Sequence, residues 1–230
     1  MKTSDFYIQA TSLPLLQGLS AEHILQMQEH GAMRIISMEP EEGDIVVEGQ
    51  YCRNLILLME GCVSCTTKGN GWTLREEIHA PEVIEEEALW SLSQAYKHTY
   101  TPLTEGRMLI VDRHQVMHTL MHYDIFRINL LTRMSTRLER KELFSRQFPS
   151  RGTAQKILHF FRTISHTSTF PKSLHIKMTT LADIIDDTRL NVSHTLRELQ
   201  KQGILTLSRE NITINNNNIA YGEPVLQPEI

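Results

Sequence analysis

Residues 188–205 read TRLNVSHTLRELQKQGIL. Its apolar residues recur at spacings of four and three, which predicts a helix with one buried side. These residues are Val192, Leu196 and Leu199. Thr188 belongs to the residue types that cap a helix N-terminus, and Gly203 is a helix stop. The stretch therefore predicts one short helix with defined ends.

The flanking residues predict the rest of a domain. Before the quoted stretch, residues 181–185 form a shorter apolar helix, capped by Thr179 or Thr180, and Asp186-Asp187 makes a tight turn. After it, "ILTLS" and "NITIN" alternate apolar and polar residues around Arg209-Glu210, which predicts a β-hairpin. Helix, turn, helix and hairpin follow one another in the order of a winged helix-turn-helix. We predict that residues 149–230 form such a domain.

The side of the quoted helix away from its apolar residues carries cationic and polar groups. Arginine can hold guanine through two hydrogen bonds, asparagine can pair with adenine, and serine and histidine can reach bases or phosphates. The helix N-terminus can hold a phosphate through its free N–H groups. A solvated helix face is the alternative, but the predicted hairpin favours double-stranded DNA as partner. The predicted DNA-binding residues are Thr188, Arg189, Asn191, Ser193, His194 and Arg197.

Charge divides the chain of 230 residues, although its net charge is only −4. Residues 1–123 hold 8 Lys/Arg against 17 Asp/Glu, whereas residues 149–230 hold 9 against 7. An acidic front and a mildly basic rear suggest a division of labour, with nucleic acid at the rear. No apolar run is long enough to span a membrane, no secretory signal is recognisable, and the three cysteines fit a reducing compartment. We therefore expect a cytoplasmic protein without membrane contact.

The front of the chain predicts a β-rich domain over residues 1–121. Short apolar pieces such as "DIVVEG" and "NLILLMEG" alternate with turn signals, including Gly69-Asn70-Gly71. This texture is typical of a jelly roll or β-roll, and the residues on the two sides of the "KGNG" loop, Cys62 to Thr67 and Trp72 to Ile78, predict one hairpin. The predicted fold class is α+β: an N-terminal β-roll, a long helix and a C-terminal winged helix-turn-helix.

Residues 122–148 predict the long helix between the two domains. Its apolar residues follow 3,3,4 spacing, and such a narrow stripe must be buried against something. They are Ile128, Leu131, Met134 and Leu138. Packing on the chain's own β domain is one option. A regular seam between two domains favours pairing with a second copy, so we predict a homodimer.

From about residue 13 to 214 the chain resembles the CRP/FNR family of bacterial transcription regulators. The resemblance rests on the glycine spacing of the β-roll (Gly43, Gly49 and Gly61), on the long helix, and on "LADIIDDTRLNVSHTLRELQKQGIL". Arg189 matches the family's base-reading arginine, whereas Leu190 stands in place of an acidic base-reader. His194 replaces a second arginine. The resemblance implies a dimer on a near-palindromic operator, RNA polymerase as a further partner, and a changed target sequence.

The resemblance also implies where an effector would lie. Glu86 matches the acid that holds the ribose of a cyclic nucleotide, but Glu85 replaces the family's glycine. Lys97 falls near the position where the family has an Arg-Ser pair that binds the phosphate. Lys141-Glu142 stands where cyclic-AMP sensors of the family have a Thr-Ser pair that binds the base. The candidate pocket residues are Glu86, Lys97 and Lys141. These departures argue against cyclic AMP, and a regulator with a degenerate phosphate pocket stays the alternative.

Other cofactors are also constrained by the residues present. An FNR-type iron–sulfur cluster needs four cysteine ligands, and the chain has three, Cys52, Cys62 and Cys65. Haem stays open, because several histidines offer ligands while no spacing singles out a pair. His118 and His122 read as a solvated pair, so we predict no metal site. The effector is then an unidentified small ligand or a redox or haem signal.

Catalysis finds no support in the sequence. The motifs of metalloproteases, serine hydrolases and phosphate loops are missing. The acidic run Glu85–Glu87 lacks a partner base, and a solvated acidic loop explains it. We therefore expect a regulator and not an enzyme.

Overall fold

The computed structural model describes residues 3–29, 31–146, 152–167 and 169–215. It contains helices and antiparallel sheets, as the predicted α+β class requires. In chain order the helices and strands are α1 (Thr3–Ser12), α2 (Ala21–Glu29), β1 (Met33–Met38), β2 (Asn54–Glu60), β3 (Cys62–Gly69), β4 (Trp72–His79), β5 (Glu82–Ile84), β6 (Thr99–Pro102), β7 (Gly106–Asp112), α3 (Arg113–His118), α4 (Asp124–Arg146), α5 (Thr153–Ile164), β8 (Lys172–Ile176), α6 (Met178–Ile184), α7 (Arg189–Lys201), β9 (Thr206–Ser208) and β10 (Asn211–Ile214).

Contacts divide the chain into two compact units. The first joins Met1–Ser64 to Ile78–Glu139, and the second joins Cys65–Glu77 to Arg140–Ile230. The predicted boundary between the long helix and the winged helix-turn-helix domain, between residues 148 and 149, lies outside the described residues. Among the described helices, none has the length and apolarity needed to cross a membrane.

The first unit is built on a four-stranded antiparallel sheet in the order β1-β7-β2-β5. β2 lies inside this sheet, and its residues Leu55 to Leu58 are all buried, as an apolar strand covered on both faces requires. The helix α4 adds the buried side chains of Phe126 and Leu130 to this unit's core. The core therefore holds the sheet and the first half of α4 in one body.

The predicted hairpin of β3 and β4 is present, and Gly71 at its tip has a positive φ of 78°. The sequence analysis assigned the whole hairpin to the β-roll, but its outer part belongs to the second unit. There Trp72–Glu76 pairs antiparallel with residues 172–176 of β8. The physical reason is that β10 covers only one edge of β8, and β4 satisfies the other.

A buried ion pair fixes the hairpin within the second unit. Lys172 Nζ lies 2.6 Å from Glu76 Oε1, and both side chains are almost fully buried. The Glu76 carboxylate also accepts the backbone N–H groups of His166 and Thr167, at 2.8 and 3.2 Å. A buried carboxylate needs such partners. Glu76 therefore holds the segment between α5 and β8 against the hairpin.

The core of the second unit lies between its helices and its sheet. Leu74 of the hairpin is buried in it beside residues of α5, α6 and α7, namely Phe161, Leu181, Val192 and Leu196. α6 has seven residues, and α7 has 13. β10 pairs with β8 on one side and with β9 on the other. The order α6, turn, α7 and β9–β10 is the predicted winged helix-turn-helix.

Candidate nucleic-acid interface

The N-terminus of α7 is capped as the sequence predicts. Thr188 has extended backbone angles, and its hydroxyl accepts the backbone N–H of Asn191 at 3.2 Å. A threonine cap of this kind satisfies one of the free N–H groups that every helix start exposes. The cap defines where α7 begins and therefore which side chains its first turn presents.

Asp187 organises the turn before α7. Its carboxylate accepts the hydroxyl of Thr153 at 2.7 Å, the side-chain amide of Asn191 at 2.9 Å and the N–H of Thr188 at 2.7 Å. The hydroxyl of Thr153, followed by the Asn191 amide, lowers the pKa of Asp187 below its usual value. The carboxylate thus links the start of α5 to the start of α7.

The hydrogen bond to Asp187 also concerns the predicted role of Asn191. Holding adenine takes both the donor and the acceptor of an asparagine amide. One of the Asn191 donors already serves the turn. The amide nitrogen carries a second donor, so this bond leaves one donor and the acceptor for adenine, and the pairing of Asn191 with adenine stays a prediction.

The predicted DNA-binding residues lie on the outside of α7. Val192, Leu196 and Leu199 are buried, as predicted, whereas Arg189, His194 and Arg197 are exposed. Thr188 and Asn191 are exposed as well, and Ser193 is half-buried. The structure therefore brings all six residues to one helix without covering their side chains. Their contacts with DNA stay predictions.

One residue of this surface was not among the predicted DNA-binding residues, although Leu190 stands where the resemblance has an acidic base-reader. The line on α7 most directly opposite its buried side runs through positions i, i+4, i+7 and i+11, which are Leu190, His194, Arg197 and Lys201. Leu190 is 78% exposed. Helix periodicity alone could have found it, because residue 190 falls two before Val192 and thus near the opposite side.

The seam of the long helix is only partly covered. Ile128, Leu131 and Leu138 on α4 are between 57% and 63% exposed, and Met134 is half-buried. The residues that α4 buries in its own unit are Phe126 and Leu130 instead. The predicted seam therefore forms an apolar stripe that the described residues leave largely uncovered.

The acidic run in the first unit is not the solvated loop that the sequence suggested. Glu85 and Glu86 are buried, and Glu87 is half-buried. The Glu85 carboxylate accepts the backbone N–H of Lys97 and lies 3.1 Å from Nδ1 of His98. Glu85 has a φ of 44°, the left-handed conformation in which the resemblance places glycine. The carboxylate is buried because it has these partners.

Glu86 is paired with arginines of α4. Arg133 Nε donates to Glu86 Oε1 at 3.0 Å, and Arg137 lies 3.4 Å from the other oxygen. Arg133 also pairs with Glu82, and Arg137 with Glu87. The two guanidinium groups compensate the negative charges of these carboxylates, which explains why this part of the acidic run can be buried.

The other candidate pocket residues have different surroundings. The side chains of Lys97 and Lys141 are exposed, and Lys141 belongs to the second unit. The first unit also has an open cleft with a volume of about 360 Å³, and neither Glu86 nor Lys97 nor Lys141 lines it. Its floor is formed by one face of the sheet, with Ile36, Ile56 and Ile110. The binding of an effector by Glu86, Lys97 and Lys141 stays a prediction, and so does a haem signal.

The chain is similar in structure to several solved proteins. The catabolite activator protein of Thermus thermophilus has 18% identity, covers 90% of this chain and 98% of its own, and has a TM-score of 0.46. The c-di-GMP responsive global regulator CLP of Xanthomonas campestris has 17% identity, coverages of 86% and 100%, and a TM-score of 0.49. DNR of Pseudomonas aeruginosa has 14% identity, coverages of 93% and 95%, and a TM-score of 0.44.

No protein-family model and no curated protein matches the chain.

Proposed function

We propose that the chain is a sequence-specific DNA-binding transcription regulator. The observation that carries the proposal is the exposed cationic face of α7. The cap at Thr188 and the hydrogen bonds of Asp187 fix this helix, and the wing β9–β10 follows it. A helix held in this way, with arginines outward, suits insertion into a major groove. RNA polymerase as a partner and a cytoplasmic location belong to the same proposal.

The regulator acts as a homodimer in this proposal. The exposed apolar stripe on α4 supports this, because three large apolar side chains on one helix are otherwise left in water. A symmetric dimer would place two copies of α7 one helical turn of DNA apart, about 34 Å. The operator would then be nearly palindromic, with half-sites related by the dimer's two-fold axis.

The first unit would sense an effector that is still unidentified. Of the residues that the resemblance assigns to a cyclic nucleotide, Glu86 is already paired with two arginines, and the backbone N–H of Lys97 already donates to the Glu85 carboxylate, which also lies beside His98. A phosphate would have to displace a buried carboxylate from its donors. A cyclic-nucleotide-responsive regulator therefore stays the alternative. Displacing the carboxylate would reduce the binding free energy of its nucleotide, which a pocket without a buried carboxylate would not require.

Selection from a random library of duplex DNA tests the proposal. We expect the purified full-length chain to enrich a sequence with two inverted half-sites, whose centres are 10 to 11 base pairs apart. Replacing Arg189, which is exposed on α7, with alanine should change the enriched base at one position of each half-site. A library that shows no enrichment after repeated rounds would contradict the proposal.

A further inference from the structure

We infer that Leu190 selects thymine, through the 5-methyl group that thymine presents in the major groove. The inference rests on the proposed DNA binding and adds one named base to it. Leu190 is 78% exposed in the first turn of α7. Apolar side chains can read thymine in the major groove, because thymine alone among the four bases carries a methyl group there.

The position of Leu190 on the helix supports this role. It lies on the same outward line as His194, Arg197 and Lys201, which are polar and exposed. In docked helix-turn-helix proteins the N-terminal residues of the recognition helix meet the base edges. Leu190 is the second residue of α7, so it lies where base contacts form, and the cationic residues further along the line suit phosphates.

The surroundings of Leu190 favour DNA over a protein as the group that covers it. Its neighbours on the outer surface of α7, Arg189, His194 and Arg197, are all exposed. A single leucine framed by two arginines and a histidine fits an anionic surface that carries isolated apolar groups. Duplex DNA has this chemistry, since phosphates line the groove and methyl groups mark its thymines.

The test replaces thymidine with deoxyuridine, which lacks only the 5-methyl group of the base, at single positions of the selected operator. For the unmodified chain we expect one position per half-site where this change weakens binding about fourfold, the effect of one buried methyl group. For Leu190→Ser, which replaces the apolar side chain with a short polar one, the same replacement should have no effect. Equal losses for both proteins at every position, or no loss at any position, would overturn the inference while DNA binding stands.

Two further variants make the result unambiguous. Leu190→Glu should enrich cytosine at the position where the unmodified chain enriches thymine, since a carboxylate accepts from the cytosine amine. Leu92→Ala, at a leucine of the first unit that is fully exposed, should keep the response to deoxyuridine. If Leu190→Glu enriches the same thymine, the inference is contradicted. Failure of the unmodified chain to enrich any sequence would remove the proposed function and the inference together.

Discussion

Arg133 Nε lies 3.0 Å from Glu86 Oε1 and so joins the long helix α4 to a carboxylate buried in the β-rich unit. Arg133 also reaches Glu82, and Arg137 adds Glu87, so two arginines serve three acids. Burial lowers the pKa of Arg133, but the two glutamates outweigh it and the pKa is raised overall. The guanidinium stays charged, and its ion pairs hold α4 to its own unit.

Removing Arg133 should therefore be costly. Arg133→Ala leaves Glu86 buried without its closest partner, and breaking a buried pair in this way costs about 3–5 kcal/mol. Urea unfolding of the purified chain measures the loss. Arg127→Ala is the control, because Arg127 pairs with Asp124 on the exposed side of α4, where a pair is worth about 0–1 kcal/mol. Equal losses for the two variants would contradict the role given to Glu86.

Cyclic AMP should not bind at the predicted pocket. The Glu85 carboxylate already occupies the Lys97 N–H and lies beside His98, so a phosphate would meet a like charge. Calorimetry with cyclic AMP and cyclic GMP, raised to millimolar concentration, should record no heat beyond dilution. Saturable heat that disappears in the variant Lys97→Ala would contradict this and favour the cyclic-nucleotide alternative.

The exposed stripe of α4 should control assembly. Leu131→Glu places a charge where a second copy is expected to pack, and the buried apolar area of one leucine is worth about 1.5–3 kcal/mol. The dimer should weaken at least about tenfold, which sedimentation equilibrium measures. Leu92→Glu, at a fully exposed leucine of the same unit, should leave assembly unchanged. An unaltered dimer in Leu131→Glu would mean that the stripe packs elsewhere.

Acid should weaken the turn before α7. The pKa of Asp187 is lowered in the folded chain, so its stabilising effect is complete above the ordinary aspartate pKa of about 3.9. The effect is lost as pH falls through the lowered value. Asp187→Asn should therefore be less stable than the unmodified chain at neutral pH, with the difference shrinking below about pH 4. Chemical unfolding at several pH values measures it, and a difference that grows in acid would contradict the assignment.

Sequence periodicity located most elements because the apolar spacing is regular where one face is buried. Val192, Leu196 and Leu199 set the buried side of α7, and Thr188 set its start. Both statements need only residues that are close in the chain. The winged helix-turn-helix could therefore be predicted, together with the exposure of Arg189 and His194.

Contacts between residues that are far apart along the chain could not be predicted from the sequence. The pairs of Glu86 with Arg133 and of Glu76 with Lys172 join positions 47 and 96 residues apart. The spacing of charges along the chain does not reveal them, so the acidic run was interpreted as a solvated loop. The hairpin's pairing with β8 was missed for the same reason, since an alternating strand looks alike at either sheet.

Sequence-specific recognition by α7 requires a large difference between two affinities. Fluorescence anisotropy gives the Kd of the full chain for its selected operator and for a scrambled duplex of equal length, at one fixed salt concentration. We expect the operator to bind at least about a thousandfold more tightly. Arg189→Ala should lose about 1–3 kcal/mol on the operator alone. Equal affinity for both duplexes, with equal losses in the variant, would contradict sequence-specific recognition by α7.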